Sequence, residues 1–566
     1  MFSNKENINI LTALLVGHGV RKTVVCPGSR NAAIVHNLNE CKGMECYPVT
    51  DERSAGFYAL GMILASNEPV AVCVTSGTAL LNLVPAVAEA RYQHLPLIVI
   101  SADRPQAWIG QQDGQTIDQP KAFGGFVKYC VSLPEPHNDE ERWYCNRLVN
   151  EAMLMMNRNG YGPVHINVPV SEPLFCFSVA ELPIERKITY VPSVINVEKI
   201  MREMVNDFYG SSRPMVVIGQ LSYRDNTEWL LQRIEQYAVV IREPLSPFRS
   251  TVPFDEVLYK IDDDEAYMPD FILYLGGTLV SKRIKKFLRR AKEAVCWTVS
   301  EDGDMHDTFM NLGGIIEANP YDVLMVLNSA LRSCGRTDDT DVMDLMENSA
   351  EAYVRLWKSK TDGAFDKLLK YQPDYSEMMA VKVFERQLDG MNYDYKVHYA
   401  NSMAVRLGNI YAQNHYIYVN RGVNGIEGSL STAAGFSVVS EDMVFCVTGD
   451  LSFFYDQNAL WNQNLEPNFR ILLLNNKGGS IFRQLAGIKD SPECKTMVAA
   501  SHSASASGIC NENNIGYLCV HNEEELRERM NVFLAAGGSR PLLMEVFTDI
   551  SEDARTYEEY YREVRG

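Results

Sequence analysis

Residues 448–479, TGDLSFFYDQNALWNQNLEPNFRILLLNNKGG, constrain the fold more than any other stretch. The apolar run MVFCVT ends abruptly at Gly449-Asp450, and a second run, RILLL, ends at Asn475-Asn476-Lys477-Gly478-Gly479. Both runs are short, apolar throughout, and separated by enough chain for a crossover, which predicts two buried parallel strands. Parallel strands need helices on their faces, so the surrounding chain is α/β. An acid then sits at the tip of one strand and two amides at the tip of another.

The same alternation recurs along the chain. The first third has strand patterns in TVVCPGS (23–29), PVAVCVTSG (69–77), LPLIVISADRP (95–105) and GPVHINVP (162–169), with helical patterns between them. A Pro- and charge-marked link follows, ELPIERKITYVPS (181–193). The middle third repeats the style in MVVIG (215–219), FILYLGG (271–277) and VCWTVS (295–300). The acidic stretch TDDTDVMDLMEN (337–348) reads as an exposed start to helices that lead into the last third, with YIYVNRG (416–422), MVFCVTGD and LLMEVFT (542–548). A chain of 566 residues exceeds one core. The expectation is three doubly wound parallel-sheet domains, 1–182, 190–345 and 346–566, the first and last with similar strand spacing.

Charge narrows the partners. With 53 Lys and Arg against 72 Asp and Glu, the net charge is −19, which argues against a nucleic-acid partner. Cation pockets for small anions stay open. The 13 cysteines are scattered singly in apolar runs, with no CxxC pair, and the ten histidines have no zinc spacing. Free buried thiols suit a reducing compartment. MFSNKENINI lacks the layout of a signal peptide, and no run reaches the ~20 apolar residues of a membrane span. These features lead us to expect a cytoplasmic protein with no membrane span.

Ligands in open α/β sheets bind at the carboxyl ends of the strands. Asp450, the Asn476 side chain and the Gly478 carbonyl there offer the oxygen set that a hard cation such as Mg²⁺ takes, with substrate phosphate completing it. A helix cap at Asp450 and a plain Asn-Lys-Gly-Gly turn account for the same residues equally well. In VTDERSAGFYALG (49–61), Glu52 reads as a first-turn acid on a helix whose small residues permit close packing.

Gly449-Asp450-Leu451, 23 intervening residues (452–474), then Asn475-Asn476 resembles the diphosphate-binding motif of thiamine-diphosphate-dependent enzymes. That family usually has Gly where Leu451 stands. The resemblance implies thiamine diphosphate and Mg²⁺ (or Mn²⁺), with Asp450, Asn476 and Gly478 as metal and cofactor ligands. It makes the first domain pyrimidine-binding and the third diphosphate-binding. It also implies that Glu52 is the acid that hydrogen-bonds the cofactor aminopyrimidine and promotes loss of the thiazolium proton. It further implies that Ser76 in VTSGTA contacts the cofactor, that Ile426 bends it, and that Phe482 lines the pocket.

CPGSRNAAI (26–34), VTSGTALLNLVPAVAEA (74–90), SADRP (101–105), GPVHINVPVSEPL (162–174), NRGVNGIEGSLSTAAG (420–435) and GDLSFFYDQNAL (449–460) resemble one branch of that group. It is the 2-succinyl-5-enolpyruvyl-6-hydroxy-3-cyclohexene-1-carboxylate synthase family of menaquinone biosynthesis, in which the Gly-Asp-Leu variant is expected. The resemblance is weakest in the middle third, where GGTLVSKR (276–283) matches best. It implies a transferase that decarboxylates 2-oxoglutarate and adds the four-carbon remainder to isochorismate. Both substrates are dicarboxylates, so cations must be concentrated locally. Arg30, Arg104, Lys282, Arg283, Arg406 and Arg421 lie in the matching motifs, with Ser29, Gln115 and Ser402 as neutral donors. Arginine suits planar carboxylates because its fork donates two parallel hydrogen bonds. Taken singly, each arginine reads better as a solvated charge. Glu427 stands where Asp is commoner, and Gly114 where some members carry Asn. The resemblance further implies a homodimer or homotetramer with active sites shared between subunits. An acetolactate-synthase-like or oxoacid-decarboxylase-like enzyme would share Glu52, Asp450 and Asn476 but would not need the arginine set.

Overall fold

The computed structural model describes residues 1–190, 196–225, 227–248, 253–261, 264–334, 340–484, 487–488 and 491–565. Three parallel sheets carry the chain, and one short separate antiparallel pair, Phe2–Ser3 with Phe177–Val179, lies within the first unit. In the first sheet the strands lie in the order Glu45–Pro48, Lys22–Val25, Val70–Val74, Leu97–Asp103, Val164–Pro169, Tyr129–Ser132. The third runs Ile417–Tyr418, Tyr395–Tyr399, Met443–Gly449, Phe469–Asn475, Leu542–Phe547, Gly516–Val520. Ranked by chain position, both read 2-1-3-4-6-5, so the similar strand spacing reflects one topology used twice. The five-stranded central sheet, Val239–Arg242, Pro214–Ile218, Phe271–Leu275, Val295–Ser300, Leu312–Glu317, reads 2-1-3-4-5.

Each sheet therefore reverses its winding between its first and third strands, and a crevice opens at their carboxyl ends. In the third sheet that crevice lies between Tyr399, followed by Asn401 and Ser402, and Gly449, followed by Asp450. The strand Met443–Gly449 pairs in parallel with Phe469–Asn475, Gly449 opposite Leu474, so the Gly-Asp and Asn-Asn tips are neighbours. Every residue of Phe469–Asn475 is buried, as a strand covered on both faces requires.

The first and third units pack through two helices. Glu52–Ser66 starts where Asp51 Oδ1 accepts the N–H groups of Arg53 (2.8 Å) and Ser54 (3.4 Å), and stops at Asn67, whose φ of 55° breaks the helix. It lies against Ser429–Ser437 so closely that a Cβ on Gly61 would stand 1.9 Å from the Thr432 carbonyl oxygen. One on Gly435 would stand 2.0 Å from that of Tyr58. Backbone touches backbone here, and the apolar core runs unbroken from Phe57, Tyr58 and Leu60 to Leu430, Ala433 and Phe436.

The link after the first unit lies along the helix Asp139–Asn157, where Asn146 Nδ2 donates to Glu185 Oε2 (2.7 Å) and Asn150 Nδ2 to the Arg186 carbonyl (3.0 Å). Residues 191–193 of the link and 337–339 of the acidic stretch lie outside the described residues; the helix Thr340–Lys370 continues the latter. Among the described residues no helix is long and apolar enough to cross a membrane.

Candidate active site

Asp450 begins the helix Asp450–Tyr455 directly from the strand tip and is 3% exposed. Its Oδ1 accepts the Leu451 N–H (2.6 Å) and its Oδ2 the Gly478 N–H (2.9 Å), which ties the two strand tips together. His502 Nε2 stands 3.2 Å from Oδ2. Burial pushes the Asp450 carboxyl above its usual range, and His502 with the two N–H donors opposes that. Gly478 needs to be glycine: its φ is +159°, and a Cβ would meet the Ala499 carbonyl oxygen at 2.8 Å.

Asn476 is equally buried. Its Nδ2 donates to Glu377 Oε1 (2.8 Å) and Asp553 Oδ2 (3.0 Å), while its Oδ1 is buried without a hydrogen-bond partner. An unpartnered buried oxygen costs free energy unless something binds it. Among the described residues no three His, Cys, Asp or Glu side chains converge as a self-sufficient metal site. The set that is present, a carboxylate, an amide oxygen and a glycine that lets a ligand approach, fits a hard cation whose remaining oxygens come from a bound diphosphate. Ile426 is 39% exposed, and its carbonyl accepts Ser452 Oγ (2.5 Å), so this apolar side chain is anchored two residues past Asp450. Phe482 is half-buried against Gly479.

Glu52 opens the helix that packs on the third unit, and Asn82 Nδ2 donates to its Oε2 (3.1 Å). Its neighbours reach the segment that follows Asp450: Asp51 Oδ2 accepts Asn458 Nδ2 (2.7 Å), and Arg53 donates to the Tyr455 carbonyl (2.6 Å). The start of the Glu52 helix thus touches the segment after Asp450 within a single chain, where the resemblance has the two meet between chains.

The arginines divide by position. Arg406 and Arg421 are electrostatic neighbours, and Lys285 lies beside Arg421. Arg421 donates to Asn401 Oδ1 (3.1 Å) and the Leu279 carbonyl (3.2 Å), but its Nε is buried and unpartnered. Burial lowers its pKa, helped by Arg406 and opposed by Glu243. Arg406 makes no hydrogen bond or ion pair among the described residues. Ser402 precedes its helix with φ 75°, a backbone strain unusual for serine.

The others belong to the first and central units. Arg30 is buried, donates to the Val170 carbonyl (3.0 Å) and pairs with Glu172 (3.2 Å). Arg104 pairs with Asp113 (2.8 Å) and donates to the Gly114 carbonyl (3.1 Å). The Gln115 backbone would stand 3.2 Å from a Cβ on Gly77, next to buried Ser76. Ser29 and Gln115 are exposed. Lys282 is exposed at its helix start, whereas Arg283 is ion-paired with Asp255 and lies over the rings of Tyr259 (4.9 Å) and Tyr561 (4.2 Å). Arg283 is thus already occupied.

The loop 420–426 is where the three units meet. Glu89 of the first accepts the N–H groups of Gly422 and Val423, Thr278 of the central unit donates to the Arg421 carbonyl (2.9 Å), and Asn401 of the third holds the Asn420 (2.7 Å) and Gly425 (2.6 Å) carbonyls. Sequence reasoning missed Glu89, Asn401, His502, Glu377 and Asp553. A lone acid in VPAVAEARY was a usable sign for Glu89. Nothing local distinguishes Glu377 from any first-turn acid.

A model of the thiamine pyrophosphate enzyme N-terminal TPP-binding domain matches residues 8–122. Relatives match from end to end. A protein of Bacteroides thetaiotaomicron is 42% identical over 577 aligned positions, covering all of both chains. One of Porphyromonas gingivalis is 36% identical over all of this chain and 98% of its own, and one of Flavobacterium johnsoniae 33% over 96% of each. All three are named 2-succinyl-5-enolpyruvyl-6-hydroxy-3-cyclohexene-1-carboxylate synthase.

Proposed function

The chain belongs to the 2-succinyl-5-enolpyruvyl-6-hydroxy-3-cyclohexene-1-carboxylate synthase family of thiamine-diphosphate enzymes, and from that membership we infer that it decarboxylates 2-oxoglutarate and transfers the remaining four-carbon unit to isochorismate. This is a step of menaquinone biosynthesis. Likeness over the whole chain carries the reading, and the cation pair Arg406–Arg421 beside the cleft supports it.

The chemistry that thiamine diphosphate supplies when bound is a nucleophilic carbon able to take up a 2-oxo acid. Asp450, Asn476 Oδ1 and the Gly478 carbonyl would hold Mg²⁺ or Mn²⁺, with diphosphate oxygens completing the ligand set. Glu52 would exchange a proton with the aminopyrimidine, Ser76 would contact the cofactor, and Ile426 and Phe482 would supply apolar contact that excludes water. Arg406, Arg421 and Ser402 hold substrate carboxylate and keto oxygens. Ser29, Arg30, Arg104 and Gln115 receive substrate from the first unit, and Lys282 and Arg283 from the central one. Arg283 must exchange Asp255 for a substrate carboxylate to do so.

In this reading 1–182 is the pyrimidine-binding domain, 190–345 the central one and 346–566 the diphosphate-binding one. The enzyme is a cytoplasmic homodimer or homotetramer whose sites form between subunits. The test is an assay of the purified chain with 2-oxoglutarate and isochorismate, with and without thiamine diphosphate and Mg²⁺. Product should form only when all four are present. Turnover of pyruvate in place of 2-oxoglutarate would move the chain to an acetolactate-synthase-like activity.

A further inference from the structure

Asn476 lies between the starts of two helices. Its Nδ2 donates to Glu377, the first residue of Glu377–Leu388, at 2.8 Å, and to Asp553, in the first turn of Ile550–Arg565, at 3.0 Å. Helix N-termini favour carboxylates, which helps explain two acids buried together. Both are fixed: Asp553 Oδ1 accepts the Glu377 N–H (2.8 Å), and its Oδ2 also accepts Thr548 Oγ1 (2.7 Å). Asn476, Glu377 and Asp553 are 3%, 5% and 5% exposed, so no water competes freely for them.

An amide can turn over, exchanging its oxygen and nitrogen with almost no change of shape. Here it cannot. Both Asp553 oxygens already act as acceptors, and Glu377 Oε1 is an acceptor whether or not its other oxygen carries a proton. A flipped Asn476 would set its oxygen against two acceptors. The nitrogen must face the acids, and Oδ1, buried and unpartnered, is left to bind something else.

We propose that Glu377 and Asp553 are positioning residues that lock the Asn476 amide with its oxygen presented as a cation ligand. The proposal rests on the assignment of Asp450, Asn476 and Gly478 as the metal site. It has a consequence that ligand chemistry alone does not. Aspartate is ordinarily a stronger Mg²⁺ ligand than asparagine. At this position Asn476→Asp removes the donor that both acids need and sets a further carboxylate against their acceptor oxygens. The substitution should therefore weaken the site.

The test measures Mn²⁺ binding to the full chain in the presence of thiamine diphosphate, by electron paramagnetic resonance of free and bound manganese. Asn476→Asp should lose about tenfold or more in affinity, the scale of losing a group that orients a metal ligand. Adding Glu377→Gln, whose side chain donates an N–H to the new carboxylate, should restore most of it. Asn476→Asp that binds Mn²⁺ as tightly as the parent, or a double variant no better than the single one, would overturn the proposal. Should Asn476→Asp not fold, Glu377→Leu, which keeps the bulk but offers no acceptor to the Asn476 amide, decides: weaker binding supports the lock, and undiminished binding overturns it. Asn476→Ala distinguishes the premise, because unchanged Mn²⁺ affinity there would remove Asn476 from the metal site altogether.

Discussion

Glu89 Oε1 accepts the backbone N–H of Gly422 at 2.8 Å, and its other oxygen takes that of Val423 at 2.7 Å. A buried carboxylate of the first unit thus holds the loop that carries Arg421 and Ile426 in the third. Burial pushes its pKa up, and the N–H groups of Val423 and Gly422 with the Gln93 amide oppose that.

Glu89→Gln keeps the shape but leaves one acceptor for two N–H groups. Losing a charge-assisted hydrogen bond costs on the order of 1.5–3 kcal/mol. The variant should melt several degrees lower and show a raised KM for 2-oxoglutarate or isochorismate. A melting temperature and KM equal to the parent's would show that the loop is held by other contacts.

Arg406→Ala tests the anion pocket. Arg406 has no partner among the described residues, so its removal orphans no buried group and should leave the melting temperature near the parent value. If it holds a substrate carboxylate, kcat/KM should fall roughly tenfold to a hundredfold or more, for a lost interaction of about 1.5–3 kcal/mol. Thiamine diphosphate affinity should not change. Unaltered kinetics for both 2-oxoglutarate and isochorismate would return Arg406 to the solvated surface.

How much of this was legible in the sequence depends on the apolar signal. Strands buried on both faces, such as Leu97–Asp103 and Phe469–Asn475, contain the apolar runs LIVI and ILLL and declare themselves. Edge strands do not: ECYP at Glu45–Pro48 has both end residues exposed and ends in proline. Tyr395–Tyr399 is interior yet hidden, because its His398 is a buried polar residue stacked on Tyr418 at 4.9 Å. In the site, Asp450 and Asn476 were visible because strand tips and glycines mark them. Glu377 and Asp553 were not, since their contact with Asn476 spans 99 and 77 residues and exists only after folding. The motif likewise placed Arg283 with the substrate residues but could not foresee its pairing with Asp255.

Glu243 provides a pH test. Its carboxyl accepts the N–H groups of Val280 (2.6 Å) and Ser281 (2.8 Å), and burial raises its pKa to about 7 despite them and nearby Arg421, with Asp255 adding to the rise. The folded chain keeps this proton to a higher pH than the unfolded chain. The stability it contributes is therefore full below the ordinary carboxylate range and declines as pH rises towards 7. Glu243→Gln removes the titration. Between pH 5 and pH 8 the parent should lose more melting temperature than the variant. Parallel curves would show that Glu243 titrates normally. Buried His165 and His398, whose pKa values burial lowers to about 3, act in the opposite direction, which is why the difference between the two proteins is the quantity to read.

The final test asks which chains build one site. The helix Glu52–Ser66 lies on Ser429–Ser437 of its own chain, and the same surfaces would meet if two copies exchanged first units. Exchange in a two-fold dimer gives two equivalent sites, each with Glu52 from one copy and Asp450 from the other. Glu52→Ala and Asp450→Ala should each be inactive alone, the first for want of its proton carrier and the second for want of the cation. Co-expressed with different tags and mixed at random, half the dimers are mixed. With exchanged sites, one site of each mixed dimer takes both defects and the other takes neither, so activity should return to about a quarter of the parent value. With sites built inside one chain, every site keeps one defect and nothing returns. We expect recovery. Mixed dimers isolated by both tags and still inactive would assign the site to a single chain and leave the close helix contact as an intrachain one.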